Sequence, residues 1–483
     1  MTAVKNVNSS LVFLFSKYFV FGIQFLNAFL LAVKLGPHYF GIWAFISLVL
    51  QYFDYFNLGI ANAVNVFCSF NKNRTQFISY IVGNSVFLIA ILNIFALSCY
   101  LFLVFVAHIG EKYELERFFL FTLVIFSSGY FIALFSNVLR VYNQLIPISL
   151  VQSFLPLGTL ASLLFFNGEH LLQSILWFYA LSNIIALLIL IFRMPFAVKF
   201  NLDIRLLKRV LGLALPLFFY NASFYFIFIS VRSLVSKYYT IEEFGFFTFT
   251  FSIANIIVLI TDSLSFLIWP KLLNRFNVLA KEESMKLLVR VRQAFLTFSH
   301  LGFYCSLICY PILIRFMPGY EGTYKSFLTA VISVVLLANS FGFQSLIIAK
   351  RGERYLAIVS FVLLIMCFVL SLVLISIFKI ELAYAILGTA FSYFIFNIIL
   401  ANKVYLLLSG KSASLLKIID FGCSYRLYIP LLVVCPVLFI NENYIPYCIA
   451  ASSVVFLSFN WRSINSIITL IMRIIKDPDF LKI

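Results

Sequence analysis

Apolar runs of about twenty residues recur along the whole chain, separated by short polar turns. A helix of about twenty apolar residues crosses a bilayer, so the pattern predicts an all-α polytopic membrane protein. Period-two alternation in short segments, the mark of a membrane barrel, is absent. The runs predict about fourteen spans, starting at 11–33 and 39–66 and ending with 427–440 and 445–461. The longest connections are 193–209, 271–292 and 403–426. Segment 199–209 (KFNLDIRLLKR) is expected to lie on the inner membrane face as a basic amphipathic helix, and 271–292 reads the same way. The expected organisation is an N-terminal six-helix bundle over 1–192, a cytoplasmic amphipathic linker over 193–209 and a second six-helix bundle over 210–402. A cytoplasmic loop, two further helices and a basic tail follow over 403–483.

The two halves echo each other. Aligning Gly41 with Gly245 sets HYFGIWAFISLVLQYFD (38–54) against EEFGFFTFTFSIANIIVLITD (242–262). Gln51 then matches Asn255, and Asp262 falls one helical turn beyond the equivalent of Asp54. Six-span repeats of this kind are parallel, related by a pseudo-two-fold along the membrane normal. Helical periodicity places the polar residues of four spans on stripes. Ser10, Lys17, Gln24 and Asn27 share a face of span 1, and Ser47, Gln51, Asp54, Asn62 and Asn65 a face of span 2. Asn221, Tyr225 and Arg232 align on span 7, and Thr248, Ser252, Asn255 and Asp262 on span 8. Stripes of Asn, Ser and Thr also serve simply as helix–helix contacts. Lys17 and Arg232 lie close enough to helix ends to snorkel to the surface. Asp54 and Asp262 are harder to explain that way. A carboxylate deep in a membrane helix costs roughly 2.5–3.5 kcal/mol on insertion scales, and such residues face a cavity, a partner charge or an ion path.

Composition supports the class, at 63% hydrophobic and 11% charged residues. The net charge of +17 does not mark a nucleic-acid surface. Lys and Arg crowd alternate loops, which by the positive-inside rule places both termini in the cytoplasm. No cleavable signal is expected, because the first run is long and lacks a small-residue cleavage site. The eight cysteines are scattered without a CxxC, and the four histidines (38, 108, 170, 300) lack metal-ligand spacing, so no metal site is expected.

Several segments resemble a known family. KLGPHYFGIWAF (34–45) followed by DYFNLGIANAV (54–64) resembles the N-terminal signature of Wzx-type polysaccharide flippases. LPLFFYNASFYFIFISVRSLVSKYYTIEEFGFFTF (215–249) resembles their span 7 to span 8 segment. Trp269-Pro270 matches the end of span 8, and LIIAKRGERYLAIVS (346–360) resembles the span 10 to span 11 turn. The chain departs from the pattern at Val231-Arg232, where the family often has Asp-Arg. It departs again at KIELAYA (379–385), which lacks two expected glycines. The family is part of the multidrug/oligosaccharidyl-lipid/polysaccharide exporter superfamily.

The resemblance implies two six-helix bundles around a cavity and movement of undecaprenyl-pyrophosphate-linked oligosaccharide, an O-antigen or capsule repeat unit, across the bacterial inner membrane. It implies as partners the membrane lipids, a glycan polymerase and a chain-length regulator, with no nucleic acid. Guanidinium and ammonium groups suit a pyrophosphate, and amides suit sugar hydroxyls. Lys17, Arg232, Gln24, Asn27, Asn62 and Asn221 are therefore the expected substrate-binding residues. Asp54 and Asp262 are expected to bind a coupling H⁺ or Na⁺, because a negative charge repels a pyrophosphate. No other cofactor and no enzyme activity are expected. The alternatives are a drug/ion antiporter or a lipid II flippase of the same superfamily, or a membrane glycan polymerase. The last lacks support, since the outer loops are short and no nucleophile–base set appears.

Overall fold

Every regular element among the described residues is helical. The computed structural model describes residues 2–71, 74–200, 203–258, 261, 265, 272–273, 275–317, 319–422, 424–440 and 444–476. For 2–18, 21, 69–70, 216–217, 220 and 466–476 it describes the backbone alone. Among the described residues, ten helices are long and apolar enough to cross a membrane. The number is eleven if the bent pair Leu415–Gly422 and Tyr425–Leu438 is one span. The chain is thus a multi-pass membrane protein. Fewer spans qualify than the fourteen expected, for three reasons. Helix α1 (Thr2–Asp54) carries the first expected span and most of the second. Helices α7 (Ile204–Tyr238) and α16 (Ile445–Lys476), parts of which are described as backbone alone, are not among the ten. The thirteenth expected span is the bent pair, counted only in the eleven, whereas the eighth, part of which lies outside the described residues, is among the ten as Ile241–Val258.

The chain divides into two compact units, Met1–Phe249 and Thr250–Ile483. In the first, α5 (Leu145–Phe165) and α6 (Gly168–Phe192) pack together and against α1, and α6 also packs on α4 (Phe119–Val141). The short helix α2 (Ile60–Phe70) packs on α4 and α7, and α3 (Thr75–Leu101) on α2, α4 and α7. In the second unit, α9 (Lys281–Ile314) packs on α10 (Tyr324–Ala338) and α16, while α13 (Leu387–Ser409) packs on α10 and α12 (Glu353–Leu372).

Both segments expected to lie on the membrane surface differ from expectation. Residues 197–200 form no helix. Ala197 O accepts from Ser79 Oγ, which in turn accepts from Lys199 N at 3.1 Å. Asp203 then caps α7, its carboxylate accepting from Arg205 N at 2.8 Å, as an N-cap aspartate does. Residues 204–209 are therefore the first turns of α7 rather than a separate surface helix. In the same way 281–292 begin α9. A buried Arg292 explains why that stretch enters the fold. It donates to Asn339 O at 2.6 Å, Phe341 O at 2.7 Å and Gly422 O at 3.0 Å, and its guanidinium lies 3.5 Å from the Phe343 ring centre.

One structural echo was not anticipated. A π-helical turn at Phe102–Val106 is followed by His108 at φ 50° and a 3-10 turn at Glu111–Tyr113. The same sequence of events recurs at Val373–Ile377, Lys379 (φ 46°) and Leu382–Tyr384. Tyr113 and Tyr384 close the two turns alike, each donating its hydroxyl to a backbone carbonyl at 2.8 Å, of Ser236 and Leu438 respectively. The shared residues are a basic residue, Ile and, four positions after the Ile, Tyr (His108-Ile109 with Tyr113, Lys379-Ile380 with Tyr384).

Within α1 the two helical segments meet at Gly36, whose φ of 67° and ψ of 171° fall in a region that is essentially glycine-only. Pro37 starts the second segment, where its missing N–H costs nothing. Lys34 Nζ donates to Leu163 O near the C-terminal end of α5, a favourable place for a cation. Just beyond, α1 meets the start of α8 (Ile241–Ala254) in a reciprocal contact. A Cβ built on Gly41 would lie 2.2 Å from Ile241 O, and one on Gly245 would lie 2.4 Å from Pro37 O. Each glycine thus faces the carbonyl four residues before the other. Such reciprocity marks contact around a two-fold axis, and it is centred on the two glycines aligned from sequence. His38 and Glu242, also equivalent in that alignment, pair at 2.7 Å.

Candidate functional site

The second expected span does not run unbroken from 39 to 66. Helix α1 ends at Asp54, a 3-10 turn covers Tyr55–Asn57, and α2 starts at Ile60. The sequence produces this break locally. Asn57 donates its Nδ2 to Asp54 O at 2.9 Å and accepts from Gly59 N at 2.8 Å, an Asx-type turn that competes with helix. Leu58 and Gly59 both adopt left-handed backbone, at φ 50° and 73°. Glycine at 59 also allows α7 close: a Cβ there would stand 3.2 Å from Ala214 O. Tyr130 Oη of α4 donates to Phe53 O at 2.6 Å, satisfying one of the carbonyls that the end of α1 leaves without a helical partner.

A cavity of about 390 Å³ opens at the break, within the size range of small-molecule sites. Gln51, Asp54, Tyr55, Asn57, Gly59 and Asn62 line it from the broken span, and Phe218, Asn221 and Tyr225 line it from α7. Irregular backbone is tolerated at membrane depth where it borders such a cavity, and broken spans mark many transporter sites. Asp54 is exposed to the cavity, and its carboxylate makes no hydrogen bond or ion pair with any described residue. It is the one charged group among the described lining residues. Asn62 and Asn221 are exposed too, and their amides bond to no described residue. The Tyr55 and Tyr225 rings are 5.2 Å apart at 33°, forming an aromatic wall.

Arg232 lies behind this wall and is 5% exposed. Its Nη1 donates to Gln51 Oε1 at 2.8 Å and its Nη2 to Ala44 O at 3.3 Å, while Nε has no hydrogen-bond partner among the described residues. It is not presented at a helix end in this conformation. It clamps α7 to α1 and fixes the Gln51 amide at the cavity edge. A second tie between the same helices is Tyr52 Oη to Ser233 Oγ at 2.7 Å.

Of the residues selected from sequence, the cavity brings together Asp54, Asn62 and Asn221, with Gln51 and Tyr225 from the same stripes. It does not include Asn27, which is buried and donates to Pro156 O of α5 at 2.7 Å, nor Gln24, which is exposed elsewhere on α1. Asn65 is tied to Asn137 Oδ1 of α4 at 2.9 Å. The Lys17 side chain, Asp262 and Trp269-Pro270 lie outside the described residues. Tyr55, Asn57 and Phe218 were not anticipated. Asn57 and Gly59, two turn formers inside an apolar run, are the signal that marks the break.

On the loop between α3 and α4, outside the spans, Lys112 donates to Tyr239 O. Burial holds its ammonium below the usual lysine range, against the opposing pull of Glu242 and Glu243. This loop closes over the end where Gly41 meets Gly245: the Phe45 and Tyr113 rings stack at 4.2 Å.

No protein-family model matches the sequence, and no curated protein matches it. Solved structures do. The fold is similar to that of the lipid II flippase MurJ in an inward closed conformation, with a TM-score of 0.69 at 16% identity over 95% of this chain and 100% of that one. It is similar to an inward-facing multidrug resistance MATE family transporter of the MOP superfamily, with a TM-score of 0.62 at 12% identity over 82% of this chain and 95% of that one. A MATE structure in the straight conformation gives 0.57 at 13% identity over 85% and 96%. At these identities the likeness establishes a shared fold.

Proposed function

We propose, from a fold shared with a lipid flippase and with drug transporters, that this chain moves a lipid-linked saccharide between the leaflets of a bacterial cytoplasmic membrane. The cargo read from the Wzx-type segments is an undecaprenyl-pyrophosphate-linked oligosaccharide repeat unit for O-antigen or capsule assembly. The observation that carries the reading is the cavity at the broken second span, where free amides, tyrosines and one unpaired carboxylate line a membrane-embedded pocket. Amides and aromatic faces suit sugars, and the lipid tail stays in the bilayer. Two six-helix bundles plus two C-terminal helices, rocking by alternating access, complete the reading. Asp54, with Asp262 in the other repeat, takes the coupling H⁺ or Na⁺. Lys17 and Arg232 remain assigned to the diphosphate, and Arg232 serves there only in a state that releases it from Gln51.

Deleting the gene in its host tests the cargo. Loss of long surface glycan with growth intact supports the repeat-unit reading. Loss of viability points to lipid II, the cargo named for MurJ, and drug hypersensitivity with normal glycan points to export as named for the MATE structures. Complementation with Asp54→Asn should give protein at normal level and no surface glycan. Normal glycan from that variant would sink the coupling role.

A further inference from the structure

We propose that the cavity at the helix break selects uncharged or amine-bearing sugars and rejects sugar acids; this rests on the reading of the chain as a mover of lipid-linked saccharides. Asp54 is the one charged group among the described lining residues, and no described side chain neutralises it. Asn62 and Asn221 supply both donors and acceptors, so they match hydroxyl and acetamido groups and offer no formal charge. The Tyr55–Tyr225 wall gives a flat apolar face for the C–H side of a pyranose. Arg232 could balance an acidic sugar, but its guanidinium is buried and already engaged with Gln51 and Ala44.

A sugar carboxylate seated among these groups would lie about 6 Å from Asp54. At an effective dielectric of about 20, that repulsion lowers affinity about a hundredfold. A protonated amine at the same place is attracted instead. The sugar is then inside the cavity, with the diphosphate of the carrier outside the Asp54–Asn62–Asn221 lining, on the side of the residues assigned to it, Arg232 and Lys17.

The full-length protein in nanodiscs, titrated with undecaprenyl diphosphate bearing one N-acetylglucosamine or one glucuronic acid, tests this directly. The expected result is about hundredfold weaker binding of the acidic carrier. Asp54→Asn should bring the two carriers within about threefold of each other, and Asn62→Asp, which adds a second carboxylate to the wall, should widen the gap beyond that of the native chain. Equal binding of both carriers by the native chain overturns the charge selectivity and leaves the flippase reading standing. Binding of neither carrier overturns both. A preference for the acidic carrier that survives Asp54→Asn also overturns the assignment.

Discussion

Alanine at Gly41 or Gly245 should force α1 and α8 apart, and the two substitutions should not add. A Cβ on Gly41 would lie 2.2 Å from Ile241 O, and one on Gly245 2.4 Å from Pro37 O. A carbon–oxygen contact needs about 3.3 Å, so either methyl demands about 1 Å of separation between the helices. The obstacle is backbone carbonyl on both sides, which cannot rotate away as a side chain would. Overpacking of this kind costs about 1–3 kcal/mol. Because the contact is reciprocal, the displacement that admits one methyl also makes most of the room for the other. The double variant should therefore lose about as much stability as the worse single one, short of the sum by about 1 kcal/mol or more. Gly22→Ala is the control: nothing stands within 4 Å of its added Cβ, and alanine in an open helix position gains up to about 1 kcal/mol over glycine. Unfolding by SDS titration in mixed micelles, followed by tryptophan fluorescence, gives all four values. Strict additivity of Gly41→Ala and Gly245→Ala, or a Gly41→Ala variant as stable as Gly22→Ala, would refute the reciprocal contact.

Three further experiments probe the site and the second unit. Arg232→Met and Gln51→Ala, combined in a double-mutant cycle, should show coupling of about 1.5–3 kcal/mol; a coupling near zero would mean that the clamp at 2.8 Å is not formed in the membrane. Asn57→Ala removes both hydrogen bonds that shape the break, and should cost about 1–2 kcal/mol of stability while lowering transport by more than that loss of folded protein explains; unchanged transport in proteoliposomes would count against the break as a functional feature. Arg292→Met leaves three buried carbonyls without their donor and should destabilise by at least about 3 kcal/mol, visible as a lowered midpoint of thermal unfolding, whereas a midpoint like the native one would contradict the staple.

The membrane class, the helical content and the pairing of Gly41 with Gly245 were legible because they rest on long-range periodicity and on a repeated motif. The interruption at residues 55–59 was not, because hydropathy averages over it: Tyr55, Phe56 and Leu58 keep the run apolar while Asn57 and Gly59 bend it. Polar stripes picked out Asp54, Asn62 and Asn221, which line the cavity, together with Asn27 and Asn65, which do not. Periodicity tells which face a residue occupies, and it does not tell whether that face meets a cavity or another helix. Asn27 meets α5 and Asn65 meets α4. Arg232 illustrates the same limit. Its charge suggested a ligand for an anion, yet it donates to a Gln51 amide that sequence had placed on the neighbouring stripe.

The second half of α1 ties the reciprocal glycine contact to the cavity. Asp54 lies about 20 Å along the helix from Gly41 at 1.5 Å rise per residue. Between them the sequence IWAFISLVLQYF holds no glycine or proline, the usual sources of a kink. A shift of the helix at Gly41 is therefore carried to Gln51 and Asp54 with little lost to bending. Beyond Asp54 the break interrupts that transmission, and α2 is held separately against α4 through Asn65 and Asn137. Movement at the glycine contact must then change the separation of Asp54 and Asn62 across the cavity, which a continuous helix would keep fixed. This is why Asn57, whose amide is engaged in shaping the turn, is expected to affect transport beyond its contribution to folding.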